Sequence, residues 1–311
     1  MSTTRPESAA LVFVIAPLHR SGSTYLHDLL ALHPDLESHA VNEDYLLASA
    51  HHLEVFTATV RENWARRPRN RDTLDTVVEQ LLPALGSAVS RVLHDTGAGT
   101  GTGTGKRILL KTPVISNLHL LPALFNDART VVIVRDGREV VASGMESFGW
   151  KLESAAQRWA QNVRTLLAQR DEQSQDLLVV RYEDLIDPGR DRICIILEHL
   201  DLDPNRFPFE AITELPVRGS TEGGRKDGRL NWAGVERGPD FRPARRSAGW
   251  SRARQARFQW LAGDELKLLG YPRQIVLSAP ERWVNRALDL AKIASRPVRR
   301  RLGRSLTRKP S

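Results

Sequence analysis

One cysteine, Cys194, stands in a chain of 311 residues, so no internal disulfide can form. It lies in Ile193-Cys194-Ile195-Ile196-Leu197 and reads as a buried helix thiol. No apolar run approaches the ~20 residues that a membrane-spanning helix needs. Ala9 to Leu18 is short, and a cleaved signal peptide there would remove a strand of the fold, so none is expected. His and Cys at metal-ligand spacings are absent, and so is any dense carboxylate cluster. The nine His are scattered, and His51 and His52, being adjacent, diverge on a helix and read as a surface pair. A disulfide scaffold, a membrane span and a motif-built metal centre are therefore excluded.

What is present begins with charge. Residues 281–311 hold ten Lys or Arg and two Asp or Glu, so the chain's whole net charge of +8 lies there, and residues 1–280 balance at 35 of each sign. Within that segment Trp283, Ala287, Leu290, Ala291 and Ala294 follow helical spacing, with Arg299-Arg300-Arg301 and Arg304 after them. A basic amphipathic helix of this kind suits an anionic membrane surface; a solubilising tail or a helix packed on the body are the alternatives. Nucleic-acid binding is not expected, because no basic face is evident elsewhere.

The body is long enough for one full core. Apolar or β-branched runs at about 11–15, 107–111, 130–134 and 177–182 read as strands, and helical spacing places Leu26, Leu29 and Leu30 in one helix and Trp159, Val163, Leu166 and Leu167 in another, over about 152–170. That alternation predicts an α/β fold, a central parallel sheet flanked by helices as a three-layer sandwich. Residues 44–95 read as a helical insertion on the acceptor side. Residues 96–105 alternate Gly with Thr or Ala and read as a flexible surface loop. Residues 219–249, rich in Gly, Arg and Pro, could form a lid anchored by Trp232 and Trp250.

Between the first strand and the first helix runs Pro17-Leu18-His19-Arg20-Ser21-Gly22-Ser23-Thr24-Tyr25-Leu26. A helix N-terminus with free N–H groups and a positive dipole end receives anions. Gly22 permits close backbone approach, Ser21, Ser23 and Thr24 add hydroxyls, and Arg20 adds a fixed charge. A Walker A loop would carry Lys after Gly22 and Gly five residues before it; this chain has Ser23 and Pro17. The loop thus has the P-loop shape without the triphosphate-and-magnesium parts. A Ser/Gly turn that merely caps a helix is the plain alternative.

A second segment, Arg135-Asp136-Gly137-Arg138 through Ser143, follows the strand at 130–134. Arg135 falls at the strand's C-terminal end, where open α/β sheets bind ligands, and Ser143 falls in the second turn of the next helix. The two can converge on one phosphate; the alternative is a surface ion pair between Arg135 and Asp136.

These two segments together resemble the sulfotransferases that use 3′-phosphoadenosine 5′-phosphosulfate (PAPS), from about Leu11 to Tyr271. The resemblance implies a P-loop-NTPase-like fold. It places the 5′-phosphosulfate on Arg20, Ser21, Gly22, Ser23, Thr24 and Tyr25, and the 3′-phosphate on Arg135 and Ser143. Lys111, in Lys111-Thr112-Pro113, is similar to a family Lys-x-Pro and is implied to touch the sulfuryl group or the bridging oxygen. Glu43 is the first candidate for the base that takes the acceptor's proton, and His39 the second. Tyr182 of Tyr182-Glu183-Asp184 is implied to lie near the adenine or its ribose. For a further 3′-phosphate contact, Arg225 and Lys226 with Gly228 compete with Arg218 and Ser220. The implied activity is in-line, metal-independent sulfuryl transfer to a hydroxyl or amine of a small-molecule, carbohydrate or lipid-linked acceptor. The expected compartment is the cytoplasm, and the basic segment 281–311 leaves peripheral contact at the inner membrane face open beside a solubilising or packed tail. A kinase-like phosphotransferase, or a non-catalytic nucleotide-binding protein docked at a membrane by its tail, are the alternatives.

Overall fold

The computed structural model describes residues 11–41, 43–67, 71–96, 106–172, 177–186, 189–216, 225–226, 229–230 and 245–294. The chain falls into two compact units, Met1–Gly249 and Trp250–Ser311.

In the first unit the chain begins with β1 (Leu11–Ile15), α1 (Ser23–Leu30) and β2 (Leu36–Ser38). Three helices follow, α2 (Leu46–Ser49), α3 (His51–Ala65) and α4 (Arg71–Asp95). Next come β3 (Arg107–Thr112), α5 (Leu121–Leu124), β4 (Arg129–Val134), α6 (Gly137–Phe148), α7 (Leu152–Glu172), β5 (Leu177–Arg181) and α8 (Arg190–His199). Two short strands, β6 (Arg225–Lys226) and β7 (Arg229–Leu230), pair antiparallel. The second unit contains α9 (Arg252–Leu268) and α10 (Ala279–Ala294).

β1 to β5 form one parallel sheet in the order β2-β3-β1-β4-β5. Every residue of β1 is buried, which is what a strand covered on both faces requires. On one face Val12, Val14, Leu109, Val131 and Ile133 join Leu26, Leu29 and Leu30 of α1 and Ile193, Ile196 and Leu197 of α8 in one apolar cluster. On the other, the Phe13 ring lies 5.4 Å from that of Phe125, just after α5. Trp159, Val163 and Leu166 of α7 are fully buried, as their spacing predicts. Gly137, the first residue of α6, makes room for Trp159: a Cβ there would lie 2.6 Å from the indole. The three-layer α/β reading therefore holds.

After β3 the chain crosses β1 to reach β4. The carboxyl ends of these three strands meet where the order of the sheet reverses, the usual ligand crevice of such sheets.

Two expectations are corrected. Cys194 is only partly buried, because Ile193, Ile196 and Leu197 take the inner face of α8 and leave Cys194 beside the exposed Ile195. His51 and His52 are exposed, but they do not diverge: their ring centroids are 3.8 Å apart at the start of α3.

Candidate active site

The loop from Ala16 to Gly22 leaves β1 and enters α1 at Gly22, whose φ of 99° is left-handed. Arg20 is also left-handed, with φ 73°. A non-glycine residue stays there only when its surroundings hold it. Here Arg20 Nε donates to Ser143 Oγ at 2.9 Å, and Arg135 Nη1 donates to the Arg20 carbonyl at 3.4 Å. Ser21 is fully buried and its hydroxyl donates to the Leu18 carbonyl at 2.7 Å, bracing the loop from within. Tyr182 closes the other side. A Cβ on Gly22 would lie 2.4 Å from the Tyr182 ring, and the Arg135 guanidinium lies 4.4 Å from that ring's centroid. Tyr25 meets Tyr182 edge-on at 6.1 Å and donates its hydroxyl to the Leu185 carbonyl at 2.9 Å.

Positive charge gathers beside this loop. Asp136 caps α6 and pairs with Arg138, Nη2 to Oδ2 at 2.5 Å, so the carboxylate next to Arg135 is engaged elsewhere. Burial, followed by the nearby Arg246 and Arg135, pushes the Arg20 guanidinium down to about 10. Arg246 is a member that sequence reasoning missed. It is held against α6 because Glu139 accepts from the Arg246 N–H at 2.7 Å and from the Ser247 N–H at 3.2 Å, while Arg246 Nε reaches Glu146 Oε2 at 2.9 Å. A partly buried guanidinium with two more close enough to disfavour its charge is an arrangement that an anion would relieve. The one sequence signal for Arg246 is the Arg245-Arg246 pair near the end of the Arg-rich 219–249 segment, one among many such residues.

On the opposite flank Lys111, the penultimate residue of β3, is almost fully buried. Its Nζ lies 3.2 Å from Thr24 Oγ1 and 3.8 Å from Glu43 Oε1. Glu43 is partly exposed, and its Oε2 accepts the Tyr45 hydroxyl at 2.7 Å. Burial and the Glu43 hydrogen bond push Tyr45 up to about 12, so it remains a donor at every ordinary pH. The Tyr45 oxygen also lies 3.4 Å from His19 Nε2, and burial holds the His19 imidazole below its usual value. Asp44 staples this segment to β3. Its N–H donates to the Lys111 carbonyl at 3.2 Å, and its carboxylate accepts from Thr112 Oγ1 at 2.6 Å and from the Leu46 N–H at 2.8 Å. Burial raises the Asp44 carboxyl, against the pull of the Thr112 bond. His39, just after β2, is bonded elsewhere: Nδ1 accepts the Val41 N–H at 3.1 Å and Nε2 lies 3.3 Å from Thr96 Oγ1.

Residues 12–206 match the model of a family described as "Sulfotransferase family", and that span is more than half of the chain. The chain belongs to the sulfotransferase family. Among solved structures, this sulfotransferase is similar to the sulfotransferase domain of the Synechococcus PCC 7002 olefin synthase, at 18% identity over 90% of this chain and 94% of that one, TM-score 0.45. It is also similar to the sulfotransferase STF1 of Mycobacterium tuberculosis, at 22% identity over 65% and 70%, TM-score 0.40. Mouse sulfotransferase SULT7A1, solved in complex with PAP, matches at 12% identity over 92% and 90%, TM-score 0.46. None of the curated proteins matches the chain.

The sulfotransferase thus brings Arg20, Arg135, Ser143 and Tyr182 together on one side of the loop, and Thr24, Lys111 and Glu43 on the other. Of the basic-loop candidates, Arg225 and Lys226 form β6, while Arg218, Ser220 and Gly228 lie outside the described residues, as does Trp232. The 96–105 loop is likewise outside them beyond Thr96. Among the described residues no three His, Cys, Asp or Glu side chains gather as a metal-binding group, and no helix is long and apolar enough to cross a membrane.

Proposed function

We propose that this sulfotransferase moves a sulfuryl group from PAPS to a hydroxyl or amine acceptor, in line and without a metal. The observation that carries the reading is the position of Lys111. One buried ammonium stands 3.2 Å from the helix-entry hydroxyl of Thr24 and 3.8 Å from the carboxylate of Glu43, linking an anion loop to a base. The chemistry of the donor also suits the site: Arg20 reaches Ser143, Arg135 reaches the Arg20 carbonyl, and a 3′-phosphate there would offset the charge that Arg246 and Arg135 bring to Arg20.

PAPS supplies a sulfur that an acceptor oxygen attacks while the bond to the 5′-phosphate oxygen breaks. Glu43 takes the proton of the attacking hydroxyl, held in place by Tyr45. Lys111 faces the charge that develops on the leaving oxygen, and its low exposure keeps that interaction strong. Ser23 and Thr24, at the start of α1, direct N–H groups and hydroxyls at the same oxygens. Tyr182 forms the floor on which Gly22 and Arg135 rest and is the side chain nearest the nucleoside. Arg225 and Lys226 of β6 add a further contact to the 3′-phosphate, in a catalytic region that spans residues 1–280. The α2–α4 segment, within 44–95, carries the acceptor contacts. The acceptor is a small molecule, a carbohydrate or a lipid-linked sugar, met in the cytoplasm where bacteria make PAPS.

The test is transfer from sulfur-labelled PAPS to a panel of phenols, sugars and lipid-linked sugars, run beside ATP with Mg²⁺. Transfer from PAPS alone is expected. Phosphoryl transfer from ATP, or no transfer from PAPS to any acceptor, overturns the reading.

A further inference from the structure

The second unit turns the usual order of an amphipathic helix inside out. A surface helix normally packs its apolar stripe on the protein and shows its charges to water. In α10 the row Glu281, Asn285 and Asp289 faces α9 instead. Arg252 grips Glu281 with two bonds, Nε to Oε1 at 2.7 Å and Nη2 to Oε2 at 2.9 Å. Arg257 donates to Asp289 Oδ1 at 2.7 Å and to Asn285 Oδ1 at 3.3 Å, and Trp260 Nε1 donates to Asp289 Oδ2 at 2.8 Å. The Arg252 hydrogen bond holds the Glu281 carboxyl down to about 2, so the grip persists at every physiological pH. Burial works to raise Asp289, but the bonds from Trp260 and Arg257 hold it below the usual carboxylate range.

This polar seam leaves Trp283, Val284, Ala287, Leu288, Leu290 and Ala291 on the far side, in an arc about 160° wide at 3.6 residues per turn. Trp283 is 73% exposed, Val284 59% and Leu290 61%. The seam fixes the rotation of the helix, so the apolar arc cannot turn inward without breaking five hydrogen bonds, three of them between arginine and carboxylate.

We infer that α10 is a membrane-docking helix that lays this arc on an anionic lipid surface. Charge selects the occupant. Arg282 and Arg286 flank the arc on the side of Trp283 and Leu290, and both are exposed. Residues 295–311 add seven Lys or Arg and no Asp or Glu. A second copy would bring the same positive charge to the same face and be repelled. An anionic bilayer attracts each basic group while its acyl boundary receives the tryptophan and the aliphatic side chains. The apolar arc and the basic residues are the two signals that stable peripheral anchoring needs.

The experiment is co-sedimentation of the full chain with vesicles of phosphatidylcholine alone and of phosphatidylcholine mixed with phosphatidylglycerol. Binding to the mixed vesicles, weakened by salt and small on the neutral ones, is the expected result. Trp283→Ser with Leu290→Ser should weaken it about tenfold or more, the order expected for two large apolar side chains. Arg282→Glu with Arg286→Glu should weaken it by a similar factor. All four side chains are exposed, so unchanged far-UV circular dichroism and melting temperature serve as the control for folding. Absent binding, equal binding to both vesicles, or binding that these variants leave intact would overturn the inference. So would a dimer that Trp283→Ser dissolves in the absence of vesicle binding, which would give the face to a second copy.

Discussion

Gly22→Ala puts the loop's geometry to the test with a single methyl group. Two costs arise at once. The φ of 99° becomes a left-handed alanine, worth about 1–2 kcal/mol. The new Cβ would also lie 2.4 Å from Cδ2 of Tyr182. That ring cannot retreat easily, since the Arg135 guanidinium lies 4.4 Å from its centroid and Tyr25 meets its edge. Overpacking of this kind adds about 1–3 kcal/mol. The sum, about 2–5 kcal/mol, should lower the melting temperature by roughly 5–15 °C in a domain of this size. The same displacement moves the N–H groups at the start of α1, so affinity for adenosine 3′,5′-bisphosphate should fall about tenfold or more. Gly149→Ala is the matched control. Gly149 has φ 67° with nothing within 4 Å of its absent Cβ, so only the backbone cost applies and bisphosphate binding should not change. Differential scanning calorimetry and isothermal titration of the two variants decide it. If Gly22→Ala melts and binds like Gly149→Ala, Tyr182 does not close the loop and the geometry assigned to the site is wrong.

The flank around Lys111 offers two more tests. Glu43→Gln should reduce turnover on the order of 10²–10⁴-fold with bisphosphate affinity unchanged, whereas His39→Gln, already bonded to Val41 and Thr96, should leave turnover within about threefold; the reverse ranking in a steady-state assay would make His39 the base. Asp44 titrates above its ordinary value of 3.8 in the folded protein, so its contribution to stability is full below 3.8 and is lost as pH rises through the raised value. Across that window, denaturant unfolding should show wild type losing stability relative to Asp44→Asn as pH rises, and a constant or opposite difference would mean that burial does not govern this carboxyl.

Much of the fold is legible in the residues because its signals are local. The runs at 11–15 and 130–134 are apolar without alternation, as strands covered on both faces must be. β2 is not legible. It is three residues, Leu36-Glu37-Ser38, with no pattern of its own, and it exists because β3 offers an edge to pair with. The same division runs through the site. The loop around Gly22 and the pair Arg135 and Ser143 sit in short contiguous motifs, each after a strand. Arg246 reaches the loop from far along the chain, through bonds to Glu139 and Glu146 that no spacing encodes. Tyr45 and Asp44 are equally silent: Tyr45 takes its role from Glu43 and His19, and Asp44 from β3 passing beside it. The inverted face of α10 is half legible. Its helical period can be read from Trp283 and Leu290, but which side meets α9 is decided by Arg252, Arg257 and Trp260.

On the proposed function, the loop and the arginines beside it hold adenosine 3′,5′-bisphosphate, the product half of PAPS. The deciding measurement is isothermal titration with that bisphosphate in the absence of metal, set against ATP with Mg²⁺ and repeated on Arg135→Ala. The expected result is micromolar binding of the bisphosphate, weaker binding of ATP, and a loss of about tenfold or more in Arg135→Ala, about 1.4 kcal/mol for a charge-assisted contact. No binding of the bisphosphate, or tighter binding of ATP with Mg²⁺ that Arg135→Ala leaves unchanged, would contradict it.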